Sequence, residues 1–361
     1  MKQIKFFTLA LLAAASLSAC SDDETGDNGV VTEPESARNL YVINQGNFYG
    51  GVEGGVGLVD TKAWTYEGDV FRTVNSQSLG DSPQGAIAYG SKIYVPMYGS
   101  NLLWVLDRTT LRIVKQVPTN APEGVVAADG YVFVSNNDGY VSRLDTLSLT
   151  MGTPVAVGPN PCSMVAVGSE IFVSISDGYN YPNYDQGKKV CVLNASTGQV
   201  VREVACGLNP GPITCDGFGN VFVVARGNYG DVPATVQKIA PGATTATDFA
   251  LGDLVAACGN ELFVLSSVSD YATGSVETKA FSLSTLTADT LQRSFVTYGY
   301  NLGLPVSLQA DEENKRIYIC SDNNAATGYK ENGTLHVFTT AGVPVSTTAV
   351  GIHPCGVVLR K

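Results

Sequence analysis

Short apolar runs bounded by turn residues recur along most of the chain. Lys92-Ile93-Tyr94-Val95 and Tyr131-Val132-Phe133-Val134 stand between clusters of Gly, Asn and Asp. Runs of this length, rich in β-branched and aromatic residues, predict strands. Apolar residues at helical spacing are almost absent. The pattern therefore predicts an all-β chain of many short strands.

The runs belong to a longer phrase: a proline turn, a short apolar strand, a turn with Gly or Asp, then a β-branched and aromatic strand. Ser82-Pro83-Gln84-Gly85-Ala86-Ile87-Ala88 leads to Lys92-Ile93-Tyr94-Val95. Ala121-Pro122-Glu123-Gly124-Val125-Val126-Ala127 leads to Tyr131-Val132-Phe133-Val134. Asn160-Pro161-Cys162-Ser163-Met164-Val165 leads to Glu170-Ile171-Phe172-Val173. Pro83, Pro122 and Pro161 are spaced 39 residues apart, twice. Looser copies start at Pro210, at Leu254 (where the proline is missing) and at Pro305. The last copy, His353-Pro354-Cys355-Gly356-Val357-Val358-Leu359, stops after its first strand.

The strands missing from that copy stand at the other end. Asn39-Leu40-Tyr41-Val42-Ile43 has the form of a second strand, Gly57 to Asp60 of a third and Tyr66 to Val70 of a fourth. Six complete units and one split between the termini make seven, at roughly 46 residues each, the size of a four-stranded propeller blade. The prediction is a seven-bladed β-propeller of four-stranded antiparallel blades spanning residues 39–361, closed by a blade shared between the two ends. Closure matters because a blade buries its faces only against its neighbours. A β-sandwich or β-solenoid with accidental spacing is the competing fold. Leu103-Trp104-Val105-Leu106-Asp107 before Leu111 to Val117, and Val190-Cys191-Val192-Leu193-Asn194 before Gln199 to Val204, read as the hairpins of third and fourth strands.

Strand order fixes the face of each loop in such a fold. Loops between second and third strands share a face with the connections between blades. Here these loops pair Tyr or Phe with Asn or Asp. They supply Asn47, Phe48, Tyr49, Tyr98, Asn101, Asn136, Asn137, Tyr140, Tyr179, Tyr181, Tyr184, Arg226, Tyr229, Tyr271, Asn323 and Tyr329 as candidate ligand contacts. Tyr offers a flat apolar body with a polar tip, and Asn both donates and accepts. Seven such loops around one axis suit a large, flat, amphipathic ligand bearing amides or hydroxyls. The plainer reading is that Asn, Asp, Gly and Tyr are common turn residues.

Charge narrows the partners. The formal net charge is −11, and removing Lys2 and Lys5 with a leader makes it −13. An acidic chain without a basic cluster excludes nucleic acid as an expected partner. It also gives no electrostatic reason to adhere to anionic lipid. The N-terminus supplies another attachment. Lys2 and Lys5 precede an apolar stretch, Phe6 to Ala15, that is too short to span a bilayer. The stretch ends in Leu17-Ser18-Ala19-Cys20, followed by the acidic run Ser21-Asp22-Asp23-Glu24. Residues 1–19 read as a lipoprotein signal peptide, Cys20 as the lipidated residue and 20–38 as a flexible acidic linker.

The lipobox with its acidic tail, the opening from Asn39 to Tyr49 and the Pro-x-Gly…Ile/Val-Tyr/Phe-Val phrase resemble the BtuG-like surface lipoproteins of Bacteroides. The phrase itself is also found in YncE-like seven-bladed propellers. The resemblance covers essentially the whole mature chain. It implies a cell-surface location on the outer membrane, capture of cobalamin or a related corrinoid, and transfer to a TonB-dependent outer-membrane transporter. Cobalamin would be ligand, not catalytic cofactor, and no cofactor is expected. A glycan- or protein-binding propeller is the alternative, and a propeller lyase or hydrolase a second one.

Enzymatic motifs are wanting. His336 lies in an apparent strand, and His353 precedes a blade-start proline, which turns it toward the top surface or the central channel. Two histidines without metal spacing make no zinc site. No nucleophile elbow, Walker loop or dinucleotide fingerprint occurs. No catalytic residue and no metal ligand is nominated. Beyond Cys20 stand Cys162, Cys191, Cys206, Cys215, Cys258, Cys320 and Cys355, an odd number that cannot all pair within one chain. They read as small core residues, with one or more disulfides open in an oxidising compartment.

Overall fold

The computed structural model describes residues 39–270, 275–286, 293–296, 300–323 and 330–360. The proposed leader 1–19, Cys20, the linker 20–38, Tyr271 and Tyr329 lie outside them.

Seven sheets of four antiparallel strands form the fold, a seven-bladed β-propeller. Blade 1 runs Ile87–Tyr89, Lys92–Met97, Leu102–Asp107 and Ile113–Pro118. Blades 2 to 6 begin at the strands Pro122–Ala128, Pro161–Val167, Pro210–Cys215, Leu254–Cys258 and Leu304–Asp311. Blade 7 is the split one. Its first strand, Pro354–Leu359, pairs with Asn39–Asn44, which pairs in turn with Gly55–Asp60 and then Thr65–Glu67. The register sets Leu40 opposite Leu359, Tyr41 opposite Val358 and Val42 opposite Val357. The two ends of the described chain therefore close the ring.

One expected strand is partly overturned. The fourth strand of blade 7 ends at Glu67, and Val70–Asn75 is a short helix. Asp69 starts it by accepting the Arg72 N–H at 3.2 Å, while Val70 and Phe71 bury their side chains. Gly68 before that cap breaks the strand, and the helix covers the interface with blade 1.

The second strand of each blade reads as nearly continuous apolar sequence because both of its faces are buried. Leu40 and Val42 pack toward blade 6, whereas Tyr41 and Ile43 pack toward blade 1. Val132 and Val134 pack toward blade 1, and Phe133 toward blade 3. The outcome is seven buried clusters, one at each blade–blade interface. Each fully buried large side chain contributes roughly 1.5–3 kcal/mol. Hydrogen bonds cross the same interfaces. Ser135 of blade 2 donates to the Cys162 carbonyl of blade 3 at 2.5 Å. Ser174 of blade 3 donates to the Gly211 carbonyl of blade 4 at 2.8 Å.

The seven cysteines of the propeller are all free thiols. Cys162 and Cys355, which share a repeat position, also share an environment. Each lies just after its blade-start proline, with its thiol against the proline carbonyl of the next blade, Pro210 at 3.5 Å and Pro83 at 3.4 Å. Burial pushes the Cys162 thiol up to about 12 and raises that of Cys355 as well.

Candidate functional site

A single backbone device builds the rim. In five blades the residue before the blade-start proline has positive φ: Ser82 (54°), Ala121 (42°), Asn160 (48°), Asn209 (56°) and His353 (51°). The left-handed region is unfavourable for such residues by about 1–2 kcal/mol. The fold compensates with a hydrogen bond. Each carbonyl accepts the N–H of the first residue beyond the second strand: Tyr98 at 2.9 Å, Asn137 at 3.0 Å, Ser176 at 3.2 Å, Arg226 at 3.0 Å and Gln45 at 2.8 Å. Gln45, Tyr98, Asn137, Ser176 and Arg226 are thereby placed at equivalent positions around the channel mouth. Gln84 and Glu123, each just after its proline, line the same mouth.

Two cavities open there. One, of about 370 Å³, is lined by Gln84, Tyr98, Glu123, Asn137, Asn160, Ser176, Gly178, Tyr179, Tyr184, Asn209, Arg226 and Tyr229. Its neighbour, of about 570 Å³, is lined by Gln45, Asn47, Phe48, Tyr49, Ser82, Gln84, Tyr98, Gly99 and His353 among others. They share Gln84 and Tyr98, so one groove runs from blade 7 to blade 4. A cavity of about 620 Å³ between blades 6 and 7 has a glycine-rich wall at Gly51, Gly54 and Gly55, and its Arg72 is already paired with Glu53 and Asp69.

Aromatic exposure is concentrated on this rim. Seven large aromatic side chains are exposed among the described residues: Phe48, Tyr49, Tyr140, Tyr179, Tyr181, Tyr229 and Phe218. Phe48, Tyr49, Tyr179, Tyr181 and Tyr229 belong to loops of the cavity face, Tyr140 opens the third strand of blade 2, and Tyr49 is 98% exposed. Only Phe218 lies on a turn of the opposite face. Phe48 meets Tyr49 edge-on at 5.5 Å, and Tyr181 meets Tyr184 at 5.9 Å. The hydroxyls of Tyr98 and Tyr179 are hydrogen-bonded across the groove. That bond, followed by burial, pushes Tyr179 up to about 12.

At the floor, Asn137 donates to Glu123 at 2.7 Å. Burial raises the Glu123 pKa, against the opposing pull of Arg226 and the Asn137 bond. Arg226 lies over Gly211, where an added Cβ would come within 2.4 Å of its Nε and Cζ. His353 Nδ1 and the buried Asp322 carboxylate are 2.7 Å apart at the other end of the groove.

The structure divides the candidate residues. It brings Asn47, Phe48, Tyr49, Tyr98, Asn137, Tyr179, Tyr184, Arg226 and Tyr229 into the groove, with Tyr181 against Tyr184 at its edge. Others have structural partners or line a separate groove. Asn101 accepts the Ala121 N–H at 2.8 Å and so supports the blade 2 start. Asn136 is buried, accepting from Thr119 at 2.6 Å and donating to Ser142 at 3.0 Å. Asn323 bridges within blade 6, donating to the Asn332 carbonyl and accepting from Thr334. Tyr140 lines a different groove, of about 350 Å³, with Pro118, Met151 and Pro154. Tyr184 is buried in the loop wall, with only 2% of its surface exposed. His336 is buried too, and desolvation lowers its pKa to about 4.

Sequence reasoning missed Gln84, Glu123, Asn160, Ser176 and Asn209. Four of them flank the blade-start prolines: Asn160 and Asn209 stand before the proline, as His353 does, and Gln84 and Glu123 after it. Applying the His353 placement to every copy of the phrase finds Asn160 and Asn209.

Comparison with known proteins supports the architecture. No curated protein matches the chain. Solved structures match at low identity and so bear on the fold alone. A quinonprotein alcohol dehydrogenase-like protein of Bacteroides thetaiotaomicron superposes with a TM-score of 0.64 at 15% identity, covering 91% of this chain and 80% of that one. The hydrazine synthase of Kuenenia stuttgartiensis gives 0.62 at 14% identity, covering 77% and 89%. A family profile matches residues 38–350, nearly the whole propeller, and the chain belongs to that family, described as a domain of unknown function (DUF5074).

Proposed function

We propose that this protein is a binding protein rather than an enzyme. It captures a large, flat, polar-fringed ligand on the aromatic rim, a corrinoid such as cobalamin. It then passes the ligand to a TonB-dependent outer-membrane transporter. The observation that carries the binding face is the gathering of five of the seven exposed aromatics among the described residues on one rim, beside a groove with amide, carboxylate and guanidinium groups. Aromatic faces accept a planar macrocycle, and Asn137, Gln84 and Asn209 match an amide fringe. The resemblance to BtuG-like lipoproteins supports the corrinoid and the transporter. The motif ending at Cys20 supports surface anchoring.

Titration of the purified propeller with cyanocobalamin, followed by tyrosine fluorescence and calorimetry, is expected to give saturable one-to-one binding. No binding at micromolar ligand removes the corrinoid. A glycan array run beside it tests the second reading, favoured by the two separate edge-on aromatic pairs, which offer distinct platforms to successive sugars. Mass spectrometry of the cell-derived protein is expected to show acylated Cys20, and Cys20→Ala to release the protein from the membrane.

A further inference from the structure

The groove floor holds a cation whose donors are unfilled. The Arg226 guanidinium makes no hydrogen bond and no ion pair within 4 Å among the described residues, although it lines the cavity and is half-buried, and it acts on the buried Glu123 carboxyl through its charge alone. The backbone that carries it is fixed, since its N–H donates to the Asn209 carbonyl at 3.0 Å. Its side chain occupies space that exists only because residue 211 is glycine. The carboxylate lining the cavity, Glu123, feels the Arg226 charge but takes its hydrogen bond from Asn137. Here a planar fork of donors is left facing a cavity whose walls are tyrosines and amides.

We infer that Arg226 is an oxyanion receptor, so that the ligand of this rim carries a phosphate or carboxylate seated on the guanidinium while its planar part lies on the tyrosines. The fork geometry fits both groups bidentately. Tyr184 and Tyr229 line the same cavity. Partial burial strengthens the contact relative to one on the open surface. The inference deepens the capture reading but does not need the ligand to be a corrinoid.

The test has two arms, so the two ideas fail separately. The first compares cyanocobalamin, which carries a phosphodiester, with dicyanocobinamide, which lacks it. Wild type is expected to bind cyanocobalamin at least tenfold more tightly. Arg226→Gln is expected to remove that difference while leaving cobinamide binding unchanged. Gly211→Ala keeps the charge but displaces the guanidinium, and is expected to act in the same direction. Phe218→Ala, on the opposite face, is the unaffected control. The second arm uses phenyl phosphate and benzoate against benzamide and benzylamine, read by ligand-observed NMR. Only the two acids are expected to bind, and only when Arg226 is present. If cyanocobalamin binds with equal affinity to wild type and Arg226→Gln, the receptor is overturned and capture stands. If no corrinoid binds but the acids do, the corrinoid reading fails and the receptor stands. Acids that bind no better than benzamide, or that bind Arg226→Gln equally, overturn the receptor, as does a preference for benzylamine.

Discussion

The two faces of the propeller use the same residue types for different ends. On the face opposite the groove, Asp and Asn are committed to turns, and the turn repeats. Asp60, Asp107, Asp145 and Asn194 each end a third strand and accept backbone N–H groups two or three residues on. The residue four positions later, Trp64, Leu111, Leu149 or Gly198, has positive φ and donates back to the first carbonyl. Side-chain mimicry of a turn explains both features. On the groove face some polar residues are also committed inside the fold: Asn101 accepts a backbone N–H, and Asn136 bonds the hydroxyls of Thr119 and Ser142. Others, Arg226, Gln84 and Asn209 among them, face the cavity. A polar loop residue therefore points to a ligand only once its turn duties have been accounted for.

The contrast yields a graded set of predictions. The largest effect is on both faces together. Ending the chain after Ile352 removes the strand that closes blade 7 and uncovers Tyr41 and Ile43. No cooperative unfolding transition is expected by circular dichroism, and a native-like melt would refute ring closure as the organising contact. Next, Ile43→Ala, at a fully buried position, is expected to destabilise by about 2–5 kcal/mol in denaturant titration. Ser135→Ala leaves the Cys162 carbonyl without its donor across the blade interface and is expected to cost about 1–3 kcal/mol. Tyr49→Ala sharpens the contrast between faces. Its melting temperature is expected to match wild type, while ligand affinity falls roughly tenfold through loss of aromatic contact. Asp107→Ala should do the reverse, lowering the melting temperature and leaving affinity intact.

The smallest effect separates the faces by pH. Hydrogen bonds from Thr110 lower the Asp107 pKa, and bonds from Ser148 lower that of Asp145. Their contribution to stability is full above the unfolded value of about 3.9 and is lost as pH falls through the folded one. Glu123 runs the other way. Its folded pKa lies above the unfolded value of about 4.3, so its ionised form opposes folding at neutral pH, and the penalty is relieved as pH falls through the folded value. Arg226, Asn137, Cys162 and Tyr179 face it and share in that balance. Glu123→Gln is therefore expected to raise the melting temperature at neutral pH and to flatten its dependence between those two values. A lower melting temperature at neutral pH would contradict this account of the groove floor.

Much of this architecture is readable from sequence, because the repeat is physical before it is statistical. Each second strand must be apolar on both faces, and each proline marks a blade start. The phase alone therefore places six whole units and the split one. The site was read less completely. The aromatic loops were found because exposed Tyr in a turn has no structural excuse. Asn136 and Asn101 carry structural hydrogen bonds that leave no mark on the local sequence, Asn101 to the start of blade 2 and Asn136 to Thr119 and Ser142. Glu123 and Asn209 were missed because residues beside a proline look like turn chemistry until the chain is closed into a ring. The helix Val70–Asn75 was missed because six residues are too few to display a period.

The left-handed residue before each proline has a consequence beyond positioning. It fixes the backbone of five blades alike while leaving the next side chains free to differ, as Tyr98, Asn137, Ser176, Arg226 and Gln45 show. The mouth thus works as a combination lock whose dials turn independently. Selectivity can be rewritten one position at a time on an unchanged frame, and relatives sharing the frame need not share a cargo.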